Sequence, residues 1–573
     1  MRSGIPLGNR AERIGFNSSC SLNPARVFGL KILVTAALPY ANGPLHLGHI
    51  RSTYLPADIY SRYQRLAGNE CLYICATDEH GTPIVVGAEK AGKKPQEFVD
   101  GYHAKDKAEF AALGFQFDIF HRTSSAENRE LTQHFFKRLT DGGHIYTKEV
   151  EQPYCEKDSR FLPDRFIVGT CPHCKAEKQY SDYCDSCSNT IGSGQLIEPR
   201  CITCGSVPVG RKSKHYFFRL AEFSGKLRHY LTANKSLQPE VVNYVVNWID
   251  TGLQDWDISR DLGWGVPIPG EPEKVFYVWF DAPIGYVSST IALRKDWEEF
   301  WKGDSRIVHF IGKDIIYHHF LFWPAMLMGV GENFRAPDRM AVRGYLNLEH
   351  RKFSKSRGWF VSLEDYLAEF PADYLRYYQT AFTPHNVQDA DFIWKDFQVK
   401  INNELVASIG NFVHRTLVLT EKLNGSVVPG AGELDEGDNR LLSEITAAKD
   451  KIAKLIDEFQ LKDGQEEILR LCGEFNKYLS AREPWKDKDA ARVQRTLYAS
   501  IRCISALSIL LEPYLPFTAG RLQKMLSIPR EKIAWKNADS ELVAAGSKLG
   551  KPVPLFEKIT DEKIKKQEEK LKS

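Results

Sequence analysis

Nowhere does this chain carry an apolar run approaching the roughly 20 residues needed to cross a bilayer, so a membrane-spanning protein is not the expectation. It also lacks a dominant charge. Lys and Arg number 76 against 73 Asp and Glu, a formal net charge of +3. So even a balance does not mark the bulk of the chain as a nucleic-acid binder, and any RNA contact must come from local patches. No secretory signal precedes the 12 cysteines, which argues against a disulfide framework. No internal repeat is present beyond paired Cys-x-x-Cys units.

What is there is a long, ordinary globular sequence. At 573 residues the chain exceeds a single core and predicts about three or four domains. Its 43% hydrophobic and 26% charged content are those of a soluble protein. The first 29 residues hold Arg2, Arg10, Arg13 and Arg26 against one acid, Glu12. That balance suits a disordered extension, a mis-assigned start or an organelle-targeting peptide. Cytoplasmic residence is the expectation for the rest.

Folded sequence is expected to begin at Leu30. The short apolar run Leu30–Thr35 reads as a buried parallel strand, followed by the turn-rich Leu38-Pro39-Tyr40-Ala41-Asn42-Gly43-Pro44. Ile50, Leu55, Ile59, Tyr63 and Leu66 recur at near-helical spacing until Gly68. A second apolar run, Cys71–Cys75, ends in Thr77-Asp78-Glu79-His80-Gly81. Strand, helix and strand make a βαβ unit, and both polar clusters fall at the carboxyl ends of its strands, where ligands bind.

From about 142 to 262 cysteine pairs and turns replace long periodicity, as in an insertion, and strand-like sequence resumes at Val275–Trp279 and Ile307–Ile311. After about 395 apolar residues share helix faces: Leu405, Ile409, Phe412 and Val413; Ile452, Leu455, Ile456 and Phe459; Ile501, Ile504, Leu507 and Leu511. The stretch from Lys558 alternates Lys with Glu and predicts an exposed helix or tail.

Two short motifs carry the chemistry. His46-Leu47-Gly48-His49 stands where a loop enters a helix, so backbone N–H groups and the positive dipole end face an anion, two imidazoles add donors, and Gly48 permits close approach. Lys352-Phe353-Ser354-Lys355-Ser356 offers two ammonium groups and two hydroxyls that can follow charge building on a phosphate. Taken singly, the first could be a capping pair and the second a solvated loop. Together, in this order and separation, they are specific.

They resemble the signatures of class I aminoacyl-tRNA synthetases, His-Ile-Gly-His and Lys-Met-Ser-Lys-Ser, with Leu47 and Phe353 as apolar substitutes. Three further stretches, Leu38–Gly43, Phe276–Tyr286 and Gly312-Lys313-Asp314-Ile315 through His319 to Trp323-Pro324, resemble the methionyl-tRNA synthetases, and the resemblance runs from Leu30 into the helical region. It implies an α/β fold: a Rossmann-type parallel-sheet catalytic domain with an inserted zinc-knuckle connective domain, followed by an α-helical anticodon-binding bundle. The expected boundaries are an extension at 1–29, catalytic halves at 30–141 and 263–344, the insertion at 142–262, a stem-contact domain bearing the Lys-Phe-Ser-Lys-Ser loop at 345–395, the bundle at 396–545 and a tail at 546–573.

Position by position, the resemblance implies catalysis by His46, His49, Lys352 and Lys355, and ATP binding by His46, Gly48, His49, Gly312, Asp314 and Lys355, with Mg²⁺ accompanying the nucleotide. Leu38, Tyr40, Trp279, Ala282, Pro283, Tyr286, Ile315 and His319 would shape a methionine pocket whose carboxylate for the substrate ammonium is Asp78. Aromatic walls suit a thioether. Asn411, Arg415 and Trp485 match anticodon-reading positions, where splayed bases stack and pair. Arg260 fits an ion pair or an active-site role equally.

Cys171 and Cys174, then Cys184 and Cys187 nine residues on, supply four thiolates as two knuckles, for which tetrahedral Zn²⁺ is the natural occupant. Cys155, Cys201 and Cys204 provide three sulfurs of a second candidate site, with Asp158 where two-zinc relatives have a fourth cysteine. The implied reaction joins methionine to tRNA(Met) with ATP. The alternatives are another class I synthetase or a non-catalytic tRNA-binding relative. At about 120 residues the insertion is too small for the editing domain of the larger aliphatic synthetases. A monomer is expected, with a separately encoded tRNA-binding partner left open.

Overall fold

The computed structural model describes residues 29–571 apart from 182, 183, 185, 188–190, 192, 193 and 354–357. The expectations for the first 28 residues and for Ser354, Lys355 and Ser356 therefore lie outside the described residues.

A five-stranded sheet, parallel throughout, runs in the spatial order Arg339–Arg343, Ser305–Gly312, Lys31–Ala36, Glu70–Thr77, Ile119–Arg122. Its three central strands are buried along almost their whole length, which is why they read as mostly apolar runs rather than alternating ones. Strand order reverses between Lys31–Ala36 and Ser305–Gly312. The loops leaving their carboxyl ends part company there and open a crevice.

The helix after the first strand starts at Leu47, widens into a π turn over Ile50–Tyr54 and continues as Leu55–Leu66. Pro56 supplies the reason: without an N–H it cannot donate to the carbonyl one turn back, and the ladder shifts register there.

The insertion is built on a long antiparallel hairpin, Ile145–Cys155 with Val209–Phe218, paired from Ile145↔Phe218 to Tyr154↔Val209. Beyond its outer end a small sheet of Gln179–Tyr180, Ile167–Thr170 and Ile197–Cys201 carries the cysteines around a local core of Leu162, Phe166 and Ile167. One expected element is different. Of the strand-like run Val275–Trp279 only Val275 and Phe276 belong to a strand, the antiparallel Glu271–Phe276, and Trp279 lies in the helical turn Val278–Asp281. The apolar run could not distinguish these, because the second half buries Phe280 as a short helix does.

The C-terminal region is a bundle of Glu436–Asp457, Leu461–Arg482 and Ala490–Leu510 packed on a long helix over 394–424. Leu405, Ile409, Phe412, Ile452, Ile456, Ile501, Ile504 and Leu507 are all buried, as their periodicity implies. The Lys/Glu-rich end forms the helix Asp561–Lys570, exposed except for Ile564 and Gln567.

One buried carboxylate ties these layers together. Asp58 Oδ2, on the first catalytic helix, lies 2.7 Å from Arg62 Nε and 2.8 Å from Arg376 Nη2, and its Oδ1 accepts from the Gln116 amide at 2.9 Å. Arg376, in the helix Ala372–Phe382, also donates to the carbonyls of Pro513 and Tyr514 in the bundle. Burial opposes the Asp58 charge, but the two guanidinium groups outweigh it and hold the carboxyl below its ordinary range. Asp58→Ala strands two buried cations and should cost about 3–5 kcal/mol, read as a lower thermal midpoint. The folded carboxyl is depressed, so its contribution is complete above the unfolded pKa and fades as pH falls through the folded value. The difference in midpoint between wild type and variant should therefore narrow in acid; a constant gap would contradict this role.

Candidate active site

His46 caps the helix that starts at Leu47 and closes a reciprocal box with its own motif: the Gly48 amide donates to His46 Nδ1 at 3.2 Å, and the His46 amide donates to His49 Nδ1 at 3.1 Å. With both Nδ1 atoms accepting, each neutral ring carries its proton on Nε2. The two rings stack with centroids 3.7 Å apart. A Cβ at Gly48 would lie 3.0 Å from His46 Cε1 and Nδ1, so the glycine makes room for the capping ring itself.

The second motif arrives beside the first. Phe353 stacks on the outer face of His46 at 4.9 Å, making three rings in a pile. The chain beyond the loop then pairs with the first motif: the Leu47 amide donates to Val361 O at 3.3 Å and the Leu363 amide to Leu45 O at 3.2 Å, bridging His46 and Ser362. Arg51, one turn into the helix and 1% exposed, donates to the carbonyls of Gly344, Tyr345 and Gln388 at 2.7, 3.0 and 3.3 Å. Lys352 stands exposed in a two-residue strand paired with Leu346–Leu348.

In the crevice lies a cavity of about 470 Å³. Of the residues singled out from sequence it is lined by Leu38, Tyr40, His49, Asp78, Trp279, Ala282, Pro283, Tyr286, Gly312, Asp314, Ile315 and His319. His46, Gly48, Lys352 and Phe353 flank it through His49 rather than line it. Trp323, by contrast, is fully buried core, its Nε1 donating to His309 Nε2 at 3.2 Å.

Asp78 is the carboxyl of the wall that lacks a partner. Its backbone is pinned on both sides, its N–H donating to Pro39 O at 2.8 Å and its carbonyl accepting from Ala41 N at 2.9 Å. Its side chain is buried, and Oδ1 has no hydrogen-bond partner. Burial, and then the neighbouring Asp281 charge, push the carboxyl well above its ordinary range. An orphaned carboxylate oxygen in a cavity wall is a receptor for a cation that arrives with the ligand.

At the apolar end the groups are neutral. His319 Nδ1–H donates to Ile315 O at 3.1 Å, which leaves Nε2 to accept from the Tyr286 hydroxyl at 2.9 Å. Burial pulls His319 down to about 4 and His318 to about 3, so neither ring brings charge to this end. Trp279 stacks on His318 at 3.7 Å. Such a wall accepts an uncharged, polarisable side chain and penalises a charged one.

Of its two expected alternatives, Arg260 makes the ion pair. It lines the cavity, and it pairs with Asp164 at 3.2 Å while its guanidinium lies 3.9 Å from the Tyr277 ring centroid. Asp164 and Arg165, also in the wall, come from a 3-10 turn of the insertion, and no local signal marks them in the sequence. Ser52, Thr53 and Tyr54 were missed too, although they lie within about five residues of His49 on the same helix and that spacing would have found them.

The cysteines gather as two sets whose donor atoms all lie within 4.8 Å of one another: Cys171, Cys174, Cys184 and Cys187, and Cys155, Asp158, Cys201 and Cys204. Sulfurs are 3.9 Å apart for Cys171–Cys187 and 3.5 Å for Cys174–Cys184. A tetrahedral ion about 2.3 Å from each sulfur would space them about 3.8 Å apart. In the second set Asp158 Oδ2 is 3.1 Å from Cys201 Sγ and 3.4 Å from Cys155 Sγ. Both donor sets fit a soft, four-coordinate ion. In the bundle, the guanidinium of Arg415 lies 5.0 Å from the ring centroid of Trp485, which is 41% exposed, and Asn411 is exposed one turn earlier on the same helix.

Comparison with known proteins agrees with this geometry. The family model described as tRNA synthetases class I (M) matches residues 32–417, and that of the anticodon binding domain of methionyl tRNA ligase matches residues 428–573. The methionine–tRNA ligase of Methanopyrus kandleri is 44% identical over 550 residues, covering 94% of this chain and 81% of its own length. That of Bacteroides fragilis is 45% identical over 548 residues, covering 94% and 80%. The solved structure of Mycobacterium tuberculosis methionyl-tRNA synthetase in complex with methionyl-adenylate aligns with a TM-score of 0.77 at 26% identity, over 92% of this chain and 99% of that one.

Isotope-edited NMR should find the Asp78 carboxyl titrating above the exposed aspartates of the chain. A bound ammonium should reverse that shift with release of a proton, measured by calorimetry in buffers of differing ionisation enthalpy. An Asp78 that titrates like a surface aspartate in the empty protein would remove the cation receptor.

Proposed function

The chain belongs to the class I methionyl-tRNA synthetase family, and we propose that it activates L-methionine with ATP and transfers it to the 3′-terminal adenosine of tRNA(Met). The orphaned Asp78 oxygen, set between an uncharged aromatic end and the two stacked histidines, carries this reading.

The α-ammonium of methionine pairs with Asp78, which drops its proton to receive it. The thioether lies toward Tyr286, His319, Trp279, Ala282, Pro283, Leu38 and Ile315, with Tyr40 above. That places the substrate carboxylate toward the nucleotide, bound along Gly48, Gly312 and Asp314 with Mg²⁺ accompanying its phosphates. The carboxylate oxygen attacks the α-phosphorus in line, the bond to the bridging oxygen breaks, and pyrophosphate leaves. His46 and His49, through their Nε2–H donors, together with Lys352 and Lys355, stabilise the charge that spreads over the phosphates. The transferred acyl group then moves to a ribose hydroxyl of the tRNA and AMP is released. No protein nucleophile is required, since positioning and electrostatics supply most of the acceleration.

Zinc is the occupant of the Cys171, Cys174, Cys184 and Cys187 set, and a second ion that of Cys155, Asp158, Cys201 and Cys204. Bound there, zinc would cross-link loops that have only a small core of their own and would perform no step of the reaction. Asn411, Arg415 and Trp485 receive the anticodon, the exposed indole stacking a base while the amide and guanidinium read its edges. The enzyme acts in the cytoplasm as a monomer.

Pyrophosphate exchange run across all twenty amino acids tests the assignment. Methionine alone should drive it, and exchange driven by another amino acid in its place would sink the reading. In Lys355→Ala the exchange rate should fall at least a hundredfold while methionine affinity changes less than about threefold; equal loss in both would contradict a role confined to the transition state. Elemental analysis of the purified chain should count two zinc ions, and one in Asp158→Ala; an unchanged count in that variant would remove Asp158 from the ligand set.

A further inference from the structure

The hairpin of the insertion carries a buried histidine that the reaction outlined above does not use. His215, on Val209–Phe218, is 2% exposed, and both its ring nitrogens face carboxylates: Nδ1 lies 2.6 Å from Asp257 Oδ2 and Nε2 lies 3.1 Å from Asp261 Oδ2. An ionised carboxylate only accepts, so both nitrogens must donate, and the ring is an imidazolium. The two carboxylates flank Arg260 in the chain. Asp257 also meets Arg260 directly, its Oδ2 3.7 Å from Nη1, while its Oδ1 accepts from the amide and hydroxyl of Ser259 at 3.1 Å each. Asp261 is anchored again by the Ser213 hydroxyl at 2.8 Å and by Lys274.

We infer that His215 is a positioning residue: held between Asp257 and Asp261, it staples the insertion hairpin to the segment that bears Arg260 and so sets where that guanidinium stands in the cavity wall. This rests on the cavity being the site of adenylate formation. Every charged group around the ring takes part in the arrangement. Asp257 and Asp261 face it from the 256–261 segment, Lys274 faces Asp261 from Glu271–Phe276, Arg260 lies beyond Asp257, and the cross-strand neighbour Lys148 is exposed to solvent. Burial works against the imidazolium, but the two carboxylates outweigh it and hold the ring above the ordinary histidine value. Asp261 is correspondingly brought down to about 2.

The staple has a direction. Arg260 cannot lose its charge at any working pH, whereas His215 can, and once it does one of the two carboxylates loses its imidazole donor and the side-chain clamp on the segment loosens. Adenylate formation should therefore decline as pH rises through the His215 value. The pairing also gives the insertion a rigid route to the cavity, since the hairpin that ends in the cysteine knuckles is the one that grips Asp257 and Asp261.

A double-mutant cycle on the full chain decides it, with methionine-dependent pyrophosphate exchange as the readout. His215→Gln should lower the rate at least fivefold, as should Arg260→Lys, and the double variant should be no slower than the slower single one within about twofold. Losses that multiply would overturn the inference, because residues acting independently add in free energy. The alkaline decline of the wild-type rate should be missing in His215→Gln; its persistence there would also overturn it. Should His215→Gln fail to fold, Asp261→Asn takes its place in the cycle. Separately, NMR of ring-labelled histidine should show His215 doubly protonated at a pH where exposed histidines are neutral, and a neutral ring would end the argument. A wild-type chain without methionine-dependent exchange would instead refute the proposed function, while the NMR result would still stand or fall by itself.

Discussion

Two backbone hydrogen bonds carry much of this protein's organisation: Leu47 N to Val361 O and Leu363 N to Leu45 O. They join segments that are more than 300 residues apart in the chain, and the two signature motifs meet at that seam. Arg51 lies beneath it, giving its buried guanidinium to three carbonyls of the segments approaching the second motif. A guanidinium is suited to this work, because its fixed fork satisfies several carbonyls at once and its charge cannot be titrated away. A lysine or glutamine there would leave carbonyls unpaired in a buried place.

The cavity beside the seam is electrostatically graded. One wall holds a carboxylate that burial makes unwilling to be charged until a cation reaches it. The apolar end holds histidines that burial keeps neutral. The helix start presents imidazoles whose tautomers are set by backbone amides, not by solvent. The first two of these states depend on exclusion of water. The same residues on a surface would titrate ordinarily and distinguish little. Such a site selects by leaving its buried groups unsatisfied when the wrong ligand enters.

The insertion shows how a segment whose outer part has only a small apolar core contributes to such a site. Its outer part gathers cysteine donors where a larger domain would bury leucines. Its inner part is a long hairpin, stiff through ten consecutive residue pairs. From this module Asp164 and Arg165 enter the cavity wall, and His215 grips the strand that bears Arg260. The module is thus structurally part of the site, not an appendage to it.

The sequence by itself determined the parallel sheet, the bundle and the two signature motifs, because these are written in local periods and in residues adjacent in the chain. Leu30–Thr35 and Ile307–Ile311 are mostly apolar since both faces of their strands are covered, and the bundle faces repeat at helical spacing. Most of the pocket was legible too, but only through resemblance: nothing local distinguishes Asp78 from a surface aspartate. Tertiary structure decided the rest. It turned Trp279 from an extended run into a helical turn, assigned Trp323 to the core and brought Phe353 onto His46. It also paired Arg260 with Asp164 in the cavity wall and left one oxygen of Asp78 without a partner. The reason is common to all of these. Burial, tautomer and pairing are properties of neighbours far away in the chain, and no period of 2 or 3.6 residues records them.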